Sequence, residues 1–404
     1  MTFSVRRHLD TIFARTNERL PDKGELLERP LITKQKFSIL AVFVVAAVVV
    51  TIQRGVYQFP NDYAIFRAAF WNLIGHQNIY VLRLDEARDY FKYSPTFALL
   101  FAPFAILPFV AGLMLWNVVN AIAMWASLEA LLPQDRNGVA QILIALPTLR
   151  SMQSSQSNAL VTALIVFAFI CYERGWLLRG GGSAVLGAAI KLFPIAALSF
   201  ALPRRDRLRA IGIAVLCTVI LIALPLLVLR PTELIAQYKS WGALEKTEAT
   251  LVGSSAMLLI RDAGLNWPAW PIQVIAGALI LGALAVRCRD WGDRSVRLQF
   301  LALTLVFCVV FNHRAERESA VIAICGMVVW LLARPPLAWR IAVFAAIYSL
   351  VVLAGTDVVP GAIKRVLSPE LRFTIPLTIG WLAIIGELVI PTRFTRKVRV
   401  ARSA

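Results

Sequence analysis

The feature that most restricts this chain is a succession of apolar runs separated by short polar segments. The runs cover 37–52, 95–108, 109–131, 139–150, 158–172, 183–202, 210–229, 271–286, 298–312, 319–333, 339–354 and 373–390. Between them lies no stretch from which a water-soluble core could be built, and hydrophobic residues make up 58% of the chain against 16% charged. Only helices with internally satisfied backbones, or closed barrels, survive in hydrocarbon, and runs of this length are helical. The expected fold is all-α, a polytopic integral membrane protein of about twelve transmembrane helices. Several runs are shorter than the roughly 20 residues a bilayer requires, which anticipates broken or half-buried helices around a cavity.

The net charge is +18. The cations fall in short clusters between apolar runs, a pattern that sets topology and meets anionic headgroups; it excludes a nucleic-acid groove as the main partner. With the N-terminus in the cytoplasm, the densest clusters, 1–36, Arg204-Arg205-Asp206-Arg207 and Arg393–Arg402, all fall on that side. Three parts are expected. Residues 1–36 form a cytoplasmic N-terminal segment with one amphipathic helix, 37–390 a single transmembrane domain, and 391–404 a basic cytoplasmic tail. Residues 1–36 lack an apolar stretch with a cleavage site, so 37–52 reads as a retained first span of an inner (plasma) membrane protein. This topology places Arg150 inside and Glu173, Arg174 and Arg179 outside. Cys171, Cys217, Cys288, Cys308 and Cys325 lie within or beside apolar runs without a CxxC pair, and read as small buried apolar residues.

The first outer loop, 53–94, is itself patterned. Tyr63, Phe66, Phe70, Trp71 and Ile74 recur at helical spacing, which predicts an interfacial helix capped by Asn61 or Asp62 and ended by Gly75. Leu84–Phe91 is expected to form a second one. Asp62 is the carboxylate that stands out, because an acid at a bilayer face beside aromatics is costly and usually functional. It reads as a helix cap, as a general base, or as both, since a cap position also fixes the side chain.

Other candidates follow along the chain. Tyr90-Phe91-Lys92-Tyr93-Ser94-Pro95 reads as an aromatic belt with a snorkelling lysine, or as a substrate-binding edge. Gln156 and Asn158 lie between two short runs. Lys191, in Lys191-Leu192-Phe193-Pro194, is the cation deepest within a run, and small residues at 184, 187, 188 and 189 allow close packing around it. The loop 230–270 brings Ser255 and Arg261. The segment Phe311-Asn312-His313-Arg314-Ala315-Glu316-Arg317-Glu318-Ser319 concentrates cations, two acids and an asparagine, and holds one of the three histidines. Guanidinium and imidazole groups suit a phosphate clamp. A divalent metal needs more ligands than one clear histidine supplies, so no metal or other cofactor is expected.

In this order the landmarks resemble glycosyltransferase family 87. They are Asn61-Asp62-Tyr63 with Ala68-Ala69 and Gly75…Tyr80, Tyr93-x-Pro95, Leu99-Leu100-Phe101-x-Pro103, Leu107-Pro108, Trp116, Gln156-x-Asn158, Lys191-Leu192-Phe193-Pro194 and Ser255…Arg261. The resemblance implies a C-type glycosyltransferase-like fold. It implies an enzyme that moves one sugar, mannose or another hexose or pentose, from a polyprenyl-phosphate donor to a lipid or glycan acceptor. The reaction would run on the extracytoplasmic face with inversion. It makes Asp62 the base and His313 a residue near the donor phosphate, and the residues themselves add Lys191, Arg261, Arg314, Glu316, Tyr63, Lys92 and Tyr93 as candidates for binding donor phosphate and substrate. The chain departs from the family pattern at Ser94 and at Arg314–Ser319. The alternative, a transporter or lipid flippase, calls for paired charges in several spans and an internal repeat, and neither is visible.

Overall fold

The computed structural model describes residues 34–248, 251–335, 337–356 and 359–390. The amphipathic helix expected within 1–36 and the basic tail 391–404 lie outside the described residues. The described chain is helical, with no strand among those residues. Its helices are α1 (Lys34–Gly55), α2 (Asn61–Ile74), α3 (Pro95–Leu100), α4 (Ala102–Ala105), α5 (Phe109–Leu131), α6 (Gln134–Gln153), α7 (Asn158–Glu173) and α8 (Leu177–Ile190). After a 3-10 segment, Phe193–Ala201, come α9 (Arg207–Ala223), α10 (Pro231–Glu248), α11 (Ala256–Asp262), α12 (Ala269–Val286), α13 (Arg294–Val310), α14 (Ala320–Leu332) and α15 (Ala338–Val351). Two short helices, α16 (Gly361–Val366) and α17 (Pro369–Arg372), precede α18 (Thr374–Val389).

Among the described residues, five segments are long and apolar enough to cross a membrane: Phe37–Gly55, Phe109–Leu131, Arg207–Leu227, Ala269–Val286 and Ala338–Gly355. Asn158–Glu173, Leu177–Ile190 and Thr374–Val389 are apolar but shorter. The pair α13 and α14 forms the centre, with every residue of α14 buried. Around it, α1 packs on α5 and α6, α5 on α7, α7 on α8, and α18 on α13 and α15. By contrast α9 buries only Ala210 and Ala214, and turns Val215, Leu216, Val219 and Ile220 outward. An apolar face of that size is what a helix presents to lipid.

Side-chain contacts sort the turns into two ends of the bundle. At one end Gln153 meets Gln53, and the Arg150 guanidinium donates to the carbonyls of Val352 and Gly355. At the other, Arg297 pairs with Glu173, Arg204 donates to the Tyr172 carbonyl, and Arg340 pairs with Glu387. This corrects the expected topology between 95 and 182. Residues 95–108 are not one span. Pro103 and Pro108 divide them into α3 and α4, six and four residues long, at the same end as Asp62. That shift reverses α5, α6, α7 and α8, and the 3-10 segment Phe193–Ala201 then returns the chain, so the run 183–202 is two pieces rather than one span. Arg150 therefore stands at the Asp62 end, while Arg136, Glu173, Arg174 and Arg179 stand at the opposite end. The basic bias of that opposite end becomes stronger as a result.

Candidate functional site

The helix α2 begins where the sequence suggests, but Asp62 does not cap it. Pro60 occupies the cap position and no side chain accepts from the first N–H groups. The Asn61 side chain accepts instead from the Arg88 backbone N–H at 2.9 Å. Asp62 sits in the first turn, half-buried, and turns toward the α6–α7 connection, where Gln156 donates to it. The adjacent residue fares differently from expectation. Tyr63 is fully buried, packs on Phe101 and Phe109, and donates its hydroxyl to the Phe104 carbonyl at 2.9 Å. It is a packing residue rather than a substrate contact. Gly112 makes room for it: a Cβ there would lie 2.1 Å from the Tyr63 hydroxyl. The second expected interfacial helix, Leu84–Phe91, is turns and extended chain.

Gln156 is the hinge of the site. It follows Ser155, a buried residue in the left-handed region at φ 56°. A non-glycine residue there is strained, and such strain persists only where neighbours hold it. The Trp116 indole donates to the Ser155 carbonyl at 2.8 Å and does part of that holding. The Gln156 amide nitrogen donates to Glu316 at 2.5 Å as well as to Asp62. Its amide oxygen accepts from Asn158 at 2.6 Å and from the Lys191 ammonium at 3.2 Å. The amide orientation therefore has only one sense: nitrogen toward two carboxylates, oxygen toward two donors.

Lys191 was expected within a span. It lies instead at a break between α8 and the 3-10 segment, with extended backbone at φ −138° and ψ 131°. Pro194 follows and forbids the helix to continue. Gly187 lets the turn close, since a Cβ there would stand 2.9 Å from the Pro194 ring. The break carries the ammonium to the Asn158 side-chain oxygen at 2.7 Å and into the field of Asp62 and Glu316. The Ser94 hydroxyl donates to the Ala189 carbonyl at 2.5 Å, which ties the Tyr93 segment to the same break.

The segment after α13 closes the site. Glu316 and Glu318 face Asp62. His313 is held through its backbone, its carbonyl accepting from Gly253 at 2.6 Å, while the ring Nε2 is buried without a partner. Burial, and then Arg314, lower the His313 pKa, so the imidazole is neutral at neutral pH. Arg314 pairs with Glu248 at 2.5 Å, and Lys92 with Glu248 at 3.2 Å and Asp89 at 2.8 Å. Both cations thus already hold acids. Arg261 is not brought to the cluster. It is exposed on the last turn of α11, and its side chain makes no hydrogen bond or ion pair among the described residues.

Burial raises the Asp62 carboxyl from 3.8 to about 7, aided by the Glu316 and Glu318 charges and opposed by Lys191 and the Gln156 hydrogen bond. A carboxyl near 7 can hold and release a proton at neutral pH, which is the property of a general base or acid. Among the described residues no group of three or more His, Cys, Asp or Glu is gathered as for a metal ion.

The fold brings together Asp62, Gln156, Asn158, Lys191, Glu316 and Glu318, all of which the sequence singles out, and adds Ser155, which it does not. No pattern marks a strained serine. The model of glycosyltransferase family 87 matches residues 91–312. The match takes in Tyr93, Gln156, Asn158 and Lys191, while Asp62 and Glu316 flank it in sequence and join it in space. A search of curated proteins finds no match. The matched segment is just over half the chain, and the chain belongs to glycosyltransferase family 87.

Proposed function

We propose that this membrane glycosyltransferase takes one sugar from a polyprenyl-phosphate donor and passes it to a hydroxyl of a lipid or glycan acceptor, with inversion at the anomeric carbon. Its site would open on the extracytoplasmic face. The observation that carries the reading is the convergence of Asp62, Gln156, Lys191 and Glu316, drawn from four separate parts of the chain. A single displacement needs one base on the attacking hydroxyl and one cationic group at the departing phosphate. Asp62 is the base. Lys191 is the cation whose charge acts on it, and His313 and Arg314 come just before Glu316 in the chain, with Arg314 in the field of Lys191.

The charge balance supports a division of labour. Asp62, Glu316 and Glu318 make one side of the site acidic, a surface that accepts hydroxyl hydrogen bonds and repels phosphate. The acceptor belongs there. The phosphate belongs toward Lys191, His313 and Arg314, where the neutral His313 Nε2 is free to exchange a proton or a hydrogen bond. Arg261 has no part in this arrangement. A polyprenyl tail remains in lipid, so the donor would approach sideways between helices. The concentration of arginine at the opposite end supports a cytoplasmic assignment for that end.

The test uses purified protein in detergent with polyprenyl-phosphate donors bearing a radiolabelled hexose or pentose, total membrane lipids as acceptor, and nucleotide sugars as controls. Label entering a new lipid or glycan from one polyprenyl-phosphate donor supports the reading. Transfer from nucleotide sugars alone sinks it. Movement of intact donor across reconstituted vesicles without transfer would favour the flippase alternative.

A further inference from the structure

At the bundle end away from Asp62, the chain reverses between α7 and α8 through Arg174-Gly175-Trp176. Gly175, at φ 74°, closes α7: the Trp176 N–H reaches the Cys171 carbonyl at 2.8 Å and the Gly175 N–H the Tyr172 carbonyl at 3.2 Å. The turn puts the Trp176 indole at the head of α8. The guanidinium carbons of Arg174 and Arg179 lie 5.1 and 5.0 Å from its ring centre. Neither arginine side chain makes an ion pair or hydrogen bond among the described residues. The acids nearby are already engaged, Glu173 by Arg297 and Asp206 by Arg204. Trp176, Leu177, Leu178 and Arg179 line a surface cleft of about 410 Å³. Leu178 is 65% exposed, and Leu208, at the head of the adjacent α9, is 80% exposed.

We infer that this cleft binds the headgroup of an anionic glycerophospholipid. A guanidinium stacked on an indole keeps the N–H groups in its plane free, and those groups match phosphate oxygens. The indole suits the interfacial layer, and the exposed leucines suit the first carbons of an acyl chain. A free phosphate would use the arginines but would leave the leucines in water. A zwitterionic headgroup brings its own ammonium and gains less from two cations without carboxylate partners. The inference rests on the chain spanning a membrane and is independent of the transfer chemistry proposed above.

Native mass spectrometry of the detergent-purified chain is the test, with phosphatidylglycerol and phosphatidylcholine of equal chain length as probes. The expected result is one tightly retained phosphatidylglycerol, held about ten- to thirtyfold less strongly by Arg174→Gln/Arg179→Gln. Arg179→Gln alone, at an exposed side chain that bears no structural load, should give part of that loss. The control Arg205→Gln/Arg207→Gln should retain the lipid. Equal retention of phosphatidylcholine would overturn the inference. So would undiminished phosphatidylglycerol on both arginine variants, or displacement of the lipid by inorganic phosphate alone.

Discussion

Replacing Asp62 by asparagine should separate catalysis from stability. The carboxyl is raised from 3.8 to about 7, chiefly by burial and then by Glu316. The folded protein therefore binds that proton more tightly than the unfolded chain does, and the fold carries a penalty that grows as pH rises from about 4 to about 7 and is complete above that. A displacement of this size is at most about 4 kcal/mol. Asp62 is only half-buried, and solvent screening brings the expected cost to about 1–2 kcal/mol. Asparagine keeps an oxygen for Gln156 and is neutral at every pH. In detergent, Asp62→Asn should melt a few degrees above the parent at about pH 8, and by less than half that margin at about pH 5. Over the same comparison, sugar transfer should fall by about a hundredfold or more, since the amide takes no proton. A variant that is destabilised equally at both pH values would refute the reasoning, because Asp62 would then be a structural anchor rather than a strained base. Transfer at the parental rate would refute the base assignment itself.

The transfer rate at low donor concentration should rise with pH through a midpoint near 7, where Asp62 ionises, falling to about a tenth one pH unit below it. Glu316→Gln removes a charge that raises this midpoint and should move it down, while Lys191→Met removes one that lowers it and should move it up. The groups facing Asp62 are Glu316, Glu318, Lys191 and Gln156, and a midpoint indifferent to the first and third would count against their shared site. Gly112→Ala should destabilise by several kcal/mol in a thermal melt, since its Cβ would overlap the Tyr63 hydroxyl and the Phe104 carbonyl at 2.1 Å. Arg340→Met should cost about 3 kcal/mol by removing the closer of two cations on buried Glu387, which would keep only Arg334 at 3.8 Å and the Trp330 indole N–H at 3.0 Å. Adding Glu387→Met should restore most of that loss in the same melt.

Much of the helical framework was legible because apolar runs report helices directly. The run 109–131 matches α5 end to end, and those from 158 onward match α7, α9, α12, α13, α14, α15 and α18 to within a few residues, except 183–202, which the break at Lys191 divides. What failed has a common physical cause. Hydropathy records how apolar a segment is, not whether it crosses or turns back. Residues 95–108 are as apolar as a span, yet Ser94, Pro95, Pro103 and Pro108 start and stop two short helices at one end of the bundle. The prolines were visible, but a bend and a break read alike. In α6 the reverse happened. Arg136, Asn137 and Gln141 are buried within a helix and engaged by Leu332 and Glu129, so polar residues concealed its first turn. At the candidate site, residue types singled out side chains that the fold brings together, but not their directions. Tyr63 adjoins Asp62 in sequence and turns away from it, because neighbouring positions on a helix face about 100° apart.

The position of Lys191 explains how a membrane-embedded bundle keeps a charge beside its site. A cation on a lipid-facing turn would be expelled, and one in a continuous packed helix would need a carboxylate on a neighbouring span. Breaking the helix at Ile190 exposes neither. The extended residue that follows leaves the ladder, and its ammonium is met by two amide oxygens, from Gln156 and Asn158, rather than by direct ion pairing. Amide oxygens solvate a cation without neutralising it. Its positive field therefore remains available to a phosphate, while Gln156 passes part of the same polarisation to Asp62 and Glu316. A carboxylate in place of Gln156 would pair with Lys191 outright and quench that field. Gln156→Glu should accordingly leave the protein folded while weakening donor binding more than it slows the bound donor, read as a rise in the donor KM larger than the fall in kcat. A fall in kcat with the donor KM unchanged would mean that Lys191 serves the base and not the phosphate.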